Sequence, residues 1–66
     1  MKAEVNGEPT ELAERSTVAD VLRGIGKARK GVAVAMNGQL VRRSDWEETV
    51  VPEGARIEVL TAVQGG

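Results

Sequence analysis

The chain has no cysteine and no histidine, and one tryptophan is its only aromatic residue. Each absence removes a class of function. Without Cys there is no disulfide staple and no thiolate nucleophile, and without His the commonest general base and metal ligand is gone. Together they exclude the usual zinc sites, and the expectation is no metal and no bound cofactor. Neither sign of charge dominates: 9 Lys and Arg face 10 Asp and Glu, for a net charge of −1. No basic run interleaved with aromatics favours nucleic acid. No apolar run approaches the roughly 20 residues that span a bilayer, and no Gly-rich phosphate loop of the P-loop kind occurs. The start, Met1-Lys2-Ala3-Glu4, is charged and strand-like rather than a signal peptide. Absence of Cys fits a reducing compartment, and the chain reads as a cytoplasmic protein.

What remains is a body of 66 residues, 41% of them hydrophobic. That length allows one domain, and a chain so short buries only about 60% of the surface its unfolded form exposes. Its stability must come from apolar packing, which a small sheet covered by one helix can supply.

Lys2-Ala3-Glu4-Val5 alternates polar and apolar residues, the period of a half-buried strand. Asn6-Gly7 follows, a strong hairpin signal because both residues tolerate positive φ. Beyond Pro9, Thr10-Glu11-Leu12 reads as the return strand with Leu12 inward. Thr17 is a good helix N-cap, with Asp20 three residues on as in a capping box. Val18, Val21, Leu22 and Ile25 then form one apolar stripe, and Gly24 and Gly26 end a helix of about two turns. A helix this short is unstable alone, so it must lie on a sheet.

Lys27-Ala28-Arg29-Lys30-Gly31 is a basic connector, read as a solvated loop, with an anion or an acidic surface as the alternative ligand. Val32-Ala33-Val34-Ala35-Met36, the turn Asn37-Gly38 and Gln39-Leu40-Val41 make a second hairpin, with Val32, Val34 and Met36 on one face and Ala33 and Ala35 on the other. Arg42-Arg43 can clamp a carboxylate or phosphate, although flanking acids favour a solvated surface. Ser44 or Asp45 is placed to cap a single turn over 46–48. Trp46 is either a binding platform or, more in keeping with a lone aromatic in a small domain, a lid over the core.

After Pro52-Glu53-Gly54 the last strand begins at Arg56, with Ile57 and Val59 inward and Glu58, Leu60 and Ala62 outward. Ala33, Ala35, Leu60 and Ala62 then form a small apolar patch on the open side of the sheet, read either as a docking surface for a partner or as one scattered exposed Leu that needs no explanation. The order of elements is hairpin, helix, hairpin, short turn, strand. The last strand pairs most simply in the middle of the sheet, parallel to the first, giving an α+β fold of the β-grasp, ubiquitin-like arrangement. Residues 1–63 form the single domain, and 64–66 a flexible tail.

That tail is Gln64-Gly65-Gly66. Glycine has no Cβ and crosses narrow gaps, and three extended residues reach at most about 10 Å. The tail is thus suited to carry the α-carboxylate of Gly66 into a partner's active site. A carboxylate becomes an electrophile only when activated, for example as an acyl-adenylate, so the partner must use ATP.

With Val5-Asn6-Gly7-Glu8-Pro9, Thr17 to Leu22, Gly31-Val32-Ala33-Val34-Ala35-Met36-Asn37-Gly38, Val41-Arg42-Arg43-Ser44-Asp45-Trp46 and Ala62-Val63-Gln64-Gly65-Gly66 in this order, the sequence closely resembles the ThiS family, the sulfur carriers of thiamine biosynthesis. It departs at Met36, where Val is more usual, and in its more basic 27–30 loop. The resemblance implies that a ubiquitin-activating-type adenylyltransferase adenylates Gly66, with ATP bound by that partner. A sulfurtransferase and cysteine desulfurase system then converts it to a thiocarboxylate, and thiazole synthase takes the sulfur. The composition agrees with one part of this. A chain with no Cys cannot hold a persulfide, which leaves Gly66 as the place for sulfur and makes the chain a co-substrate rather than an enzyme. Three alternatives stay open at this point: a carrier for a molybdopterin-type pathway, a modifier joined to lysines through Gly66, and a passive interaction module.

Overall fold

The computed structural model describes residues 1–26 and 31–61. Among these residues, five strands form one mixed sheet: β1 (Lys2–Val5), β2 (Glu8–Glu11), β3 (Val32–Met36), β4 (Gln39–Val41) and β5 (Arg56–Thr61), in the order β2-β1-β5-β3-β4. One helix, α1 (Val18–Gly24), joins the two hairpins. The last strand lies in the middle, parallel to β1 and antiparallel to β3, as the sequence predicts for a β-grasp fold.

The two Asn-Gly pairs turn their hairpins for the same reason. Asn6 and Asn37 both have φ 53°, and Gly7 and Gly38 both have φ 84°. Two consecutive left-handed residues make the tight turn whose twist matches that of the flanking strands. In β1, Ala3 and Val5 are buried and their neighbours exposed. The return strand differs from expectation. It starts at Glu8 and includes Pro9, opposite Glu4. A residue without an N–H is tolerated there because β2 is an edge strand. Leu12 lies one residue past the strand, still packed against the core, and its N–H donates to the Met1 carbonyl at 2.7 Å.

The capping box at the start of α1 is complete. The Asp20 N–H donates to Thr17 Oγ1 at 3.2 Å, and the Thr17 N–H to Asp20 Oδ2 at 2.9 Å. The backbone bond from Thr17, reinforced by Arg23, holds the Asp20 carboxyl below its ordinary range. Two further N–H groups of the first turn, on Val18 and Ala19, donate to the carbonyls of Thr49 and Trp46 at 2.9 and 3.1 Å. The segment after β4 thereby seats the helix start. The buried helix residues are Val18, Ala19, Val21 and Leu22. Ile25 does not continue the stripe, because the helix ends at Gly24 and Ile25, with ψ 3°, is already turning away and is exposed.

The core joins this helix face to Ala3, Val5, Val34, Val51, Ala55, Ile57 and Val59. Trp46 is part of it, 1% exposed, with its indole N–H donating to the Val41 carbonyl at 2.9 Å. It is a central core residue, and a role as a binding platform is excluded by its burial. A 3-10 turn forms over Arg43–Asp45, three residues earlier than expected. Ser44 and Asp45 lie inside the turn rather than capping one that starts at Trp46. The Asp45 and Trp46 N–H groups donate to the carbonyls of Arg42 and Arg43. Among the described residues, no helix is long and apolar enough to cross a membrane.

Candidate functional site

β5 carries the candidate site because it is the strand that runs toward residues 62–66. Its alternation is strict: Ile57 and Val59 are buried, while Arg56, Glu58 and Leu60 face away from the helix. Strands flank it on both sides, so its position is over-determined. Register with β3 places Ala33 opposite Leu60 and Ala35 opposite Glu58. The residues expected to form a docking patch are therefore neighbours: Ala33 and Leu60 are exposed and Ala35 is half-buried. Leu60 is 63% exposed.

The patch has a member that the sequence reading missed. Ala35 also pairs with Leu40 of β4, and Leu40 is 73% exposed on the same face. The signal was present in the hairpin: a two-residue turn at Asn37-Gly38 sets Met36 against Gln39 and Ala35 against Leu40, so an outward Ala35 requires an outward Leu40. Leu60, Ala33, Ala35 and Leu40 thus form an apolar diagonal across three strands.

Charge borders this diagonal on the β1 side. The Arg56 guanidinium lies 3.7 Å from the Glu4 carboxylate, an exposed pair worth at most about 1 kcal/mol. Glu4, Asn6, Gly7, Arg56, Glu58 and Leu60 line a shallow groove there. Both Asn-Gly turns also reach into β5 with their side chains. The Arg56 N–H donates to Asn37 Oδ1 at 2.9 Å, at the start of the strand. Near its end the Val59 N–H donates to Asn6 Oδ1 at 2.8 Å, and Asn6 Nδ2 donates to the Val59 carbonyl at 3.3 Å.

Ala62 of the expected patch, the tail residues Gln64, Gly65 and Gly66, and the basic 27–30 loop lie outside the described residues. Among the described residues, no group of three or more His, Cys, Asp or Glu side chains is placed to hold a metal ion. Among the described residues, the candidate site is an apolar surface beside the end of β5.

Comparison with known proteins gives this surface a family. The chain is 30% identical to the sulfur carrier protein ThiS of Escherichia coli (strain K12) over 61 residues, covering 92% of each. It is 36% identical over all 66 residues to a thiazole synthase of Magnetococcus marinus, of whose length it spans only 20%. The crystal structure of a thiamine biosynthesis protein (ThiS) from Geobacter metallireducens superposes with a TM-score of 0.84 at 32% identity, with both chains fully covered. The sequence profile of the ThiS family matches residues 3–66, and the chain belongs to that family.

Proposed function

We propose that this chain is a sulfur carrier for thiamine biosynthesis and acts as a protein co-substrate. The observation that carries the reading is the family match through residue 66, set on a fold whose central strand runs toward that end. The reacting group is the Gly66 carboxylate. A ubiquitin-activating-type adenylyltransferase binds ATP and joins AMP to that carboxylate, with pyrophosphate leaving. The terminal sulfur of a persulfide, supplied by a sulfurtransferase and cysteine desulfurase system, attacks the acyl carbon and displaces AMP. A thiol then reduces the resulting acyl disulfide, which releases the thiocarboxylate and leaves a disulfide between the thiol and the sulfur donor. Thiazole synthase then takes the sulfur. As support for that last partner, a thiazole synthase contains a stretch similar to the whole of this chain.

In this scheme the body supplies no acid, base or nucleophile. It holds the root of the tail and presents the Leu60, Ala33, Ala35 and Leu40 diagonal for docking. The intact mass after incubation with the activating enzyme, ATP and a sulfur source tests the reading. Replacement of one oxygen by sulfur is expected. An unchanged mass, under conditions that activate an authentic carrier, overturns it. Gly66 found in an isopeptide bond to lysine, with no thiocarboxylate, assigns the chain to protein modification instead.

A further inference from the structure

We infer that Asn6 is a positioning residue for the tail: its carboxamide holds the backbone of Val59 and so fixes where the strand ends and the tail begins. The inference rests on the carrier reading above. β1 runs beside β5 only as far as Val5, opposite Ile57, and the Asn6 N–H makes one more backbone bond, to the Ile57 carbonyl at 2.8 Å. The turn then carries the chain away to β2. The N–H and carbonyl of Val59 point to the side that β1 has just left. An amide side chain offers one acceptor and one donor, as a backbone residue does, and Asn6 uses both on Val59. It extends the β1 ladder by one step without extending the strand.

The turn alone does not require this. At φ 53° and followed by Gly7, position 6 accepts glycine as well as asparagine. The carboxamide is what glycine lacks. Asn37 supplies an internal control. It has the same φ, the same following glycine and a side-chain bond to β5, but its bond is to Arg56, at the end of the strand remote from the tail.

Val59 is the last buried residue of β5, and Leu60 and Thr61 beyond it are exposed. Without the Asn6 bonds, the end of β5 keeps only its pairing with β3, through Val34, Ala33 and Val32. The stretch from Val59 to Thr61 is then held from one side alone, and it opens more readily. A partner must reorder those residues before it can grip the tail.

The experiment compares Asn6→Gly, Asn6→Asp and Asn37→Gly with the wild-type chain in amide hydrogen exchange and in adenylation kinetics. The Val59 amide is expected to exchange about tenfold faster in Asn6→Gly and to stay protected in Asn37→Gly. The KM for adenylation should rise about tenfold in Asn6→Gly with kcat near wild type, because ordering even one backbone residue costs on that scale. Asn6→Asp keeps an acceptor for the Val59 N–H and should fall between. Equal KM in Asn6→Gly and Asn37→Gly, with wild-type chain reacting normally, overturns the positioning role alone. Wild-type chain that gains no adenylate overturns the carrier reading itself, while the exchange data still report whether the Val59 bonds exist.

Discussion

Truncation of Leu60 to alanine separates docking from folding. The change removes three carbons, which at about 0.8 kcal/mol each are worth about 2.4 kcal/mol on full burial. Because 63% of the residue is still exposed in the free chain, about 1.5 kcal/mol of that remains to be gained when a partner covers it. A tenfold change in affinity corresponds to about 1.4 kcal/mol, so Leu60→Ala should raise the KM for adenylation about tenfold. The share already buried limits the loss of fold stability to about 1 kcal/mol. Urea denaturation and steady-state adenylation on the same preparation give both numbers. A stability loss of about 2 kcal/mol or more, the range of a core Leu→Ala, would mean that Leu60 belongs to the core and that the two faces of β5 are inverted. An unchanged KM with unchanged stability would show that the diagonal is not where the activating enzyme sits.

Three further outcomes follow from the same geometry. Trp46→Phe removes the indole donor to the Val41 carbonyl and part of a fully buried side chain. A loss of about 1–3 kcal/mol in urea denaturation is expected, whereas a neutral result would contradict a core role. Asp20→Asn tests the capping box through pH. The folded-state pKa of Asp20 lies below its unfolded value, so its contribution is fully present above the unfolded pKa and is lost as pH falls through the folded one. The melting temperatures of wild type and Asp20→Asn should therefore differ at pH 7 and converge as pH drops below about 4, and a gap that persists in acid would point to another cause. Deletion of Gly66 should leave the melting curve unchanged and abolish adenylation, since the buried set of β5 ends at Val59. An adenylated or unfolded truncation would break the division between body and tail.

Much of this fold can be read from the sequence because its decisive signals are local. Asn-Gly pairs force left-handed turns wherever they fall between strands. Thr17 with Asp20 caps a helix whatever packs above it, and the alternation in 56–61 follows from a sheet with one covered face. The misreadings came from effects that reach across the chain. Pro9 falls outside the return strand read from the sequence, and it joins β2 because that strand lies at a sheet edge. Ile25 is the local exception: it fits the helical spacing by its side chain, yet Gly24 ends the helix before that spacing can apply. The turn near Trp46 starts early because the buried indole and its bond to Val41 fix where the chain must go. Leu40 is legible only through the pairing of β3 with β4, because its outward side follows from that of Ala35 across the Asn37-Gly38 turn. Asn6 passes for a turn residue alone, since nothing local reveals that its side chain faces Val59.

The parallel pairing of β1 with β5 has a consequence during synthesis. Glu4 and Arg56 are neighbours in space but lie near opposite ends of the chain. Until the ribosome has released the stretch that becomes β5, the two hairpins share no strand, and contacts of such long range close late. A chain halted early cannot display a finished body without the strand that leads to residues 62–66. Any folded copy of this chain has therefore been translated at least through Thr61.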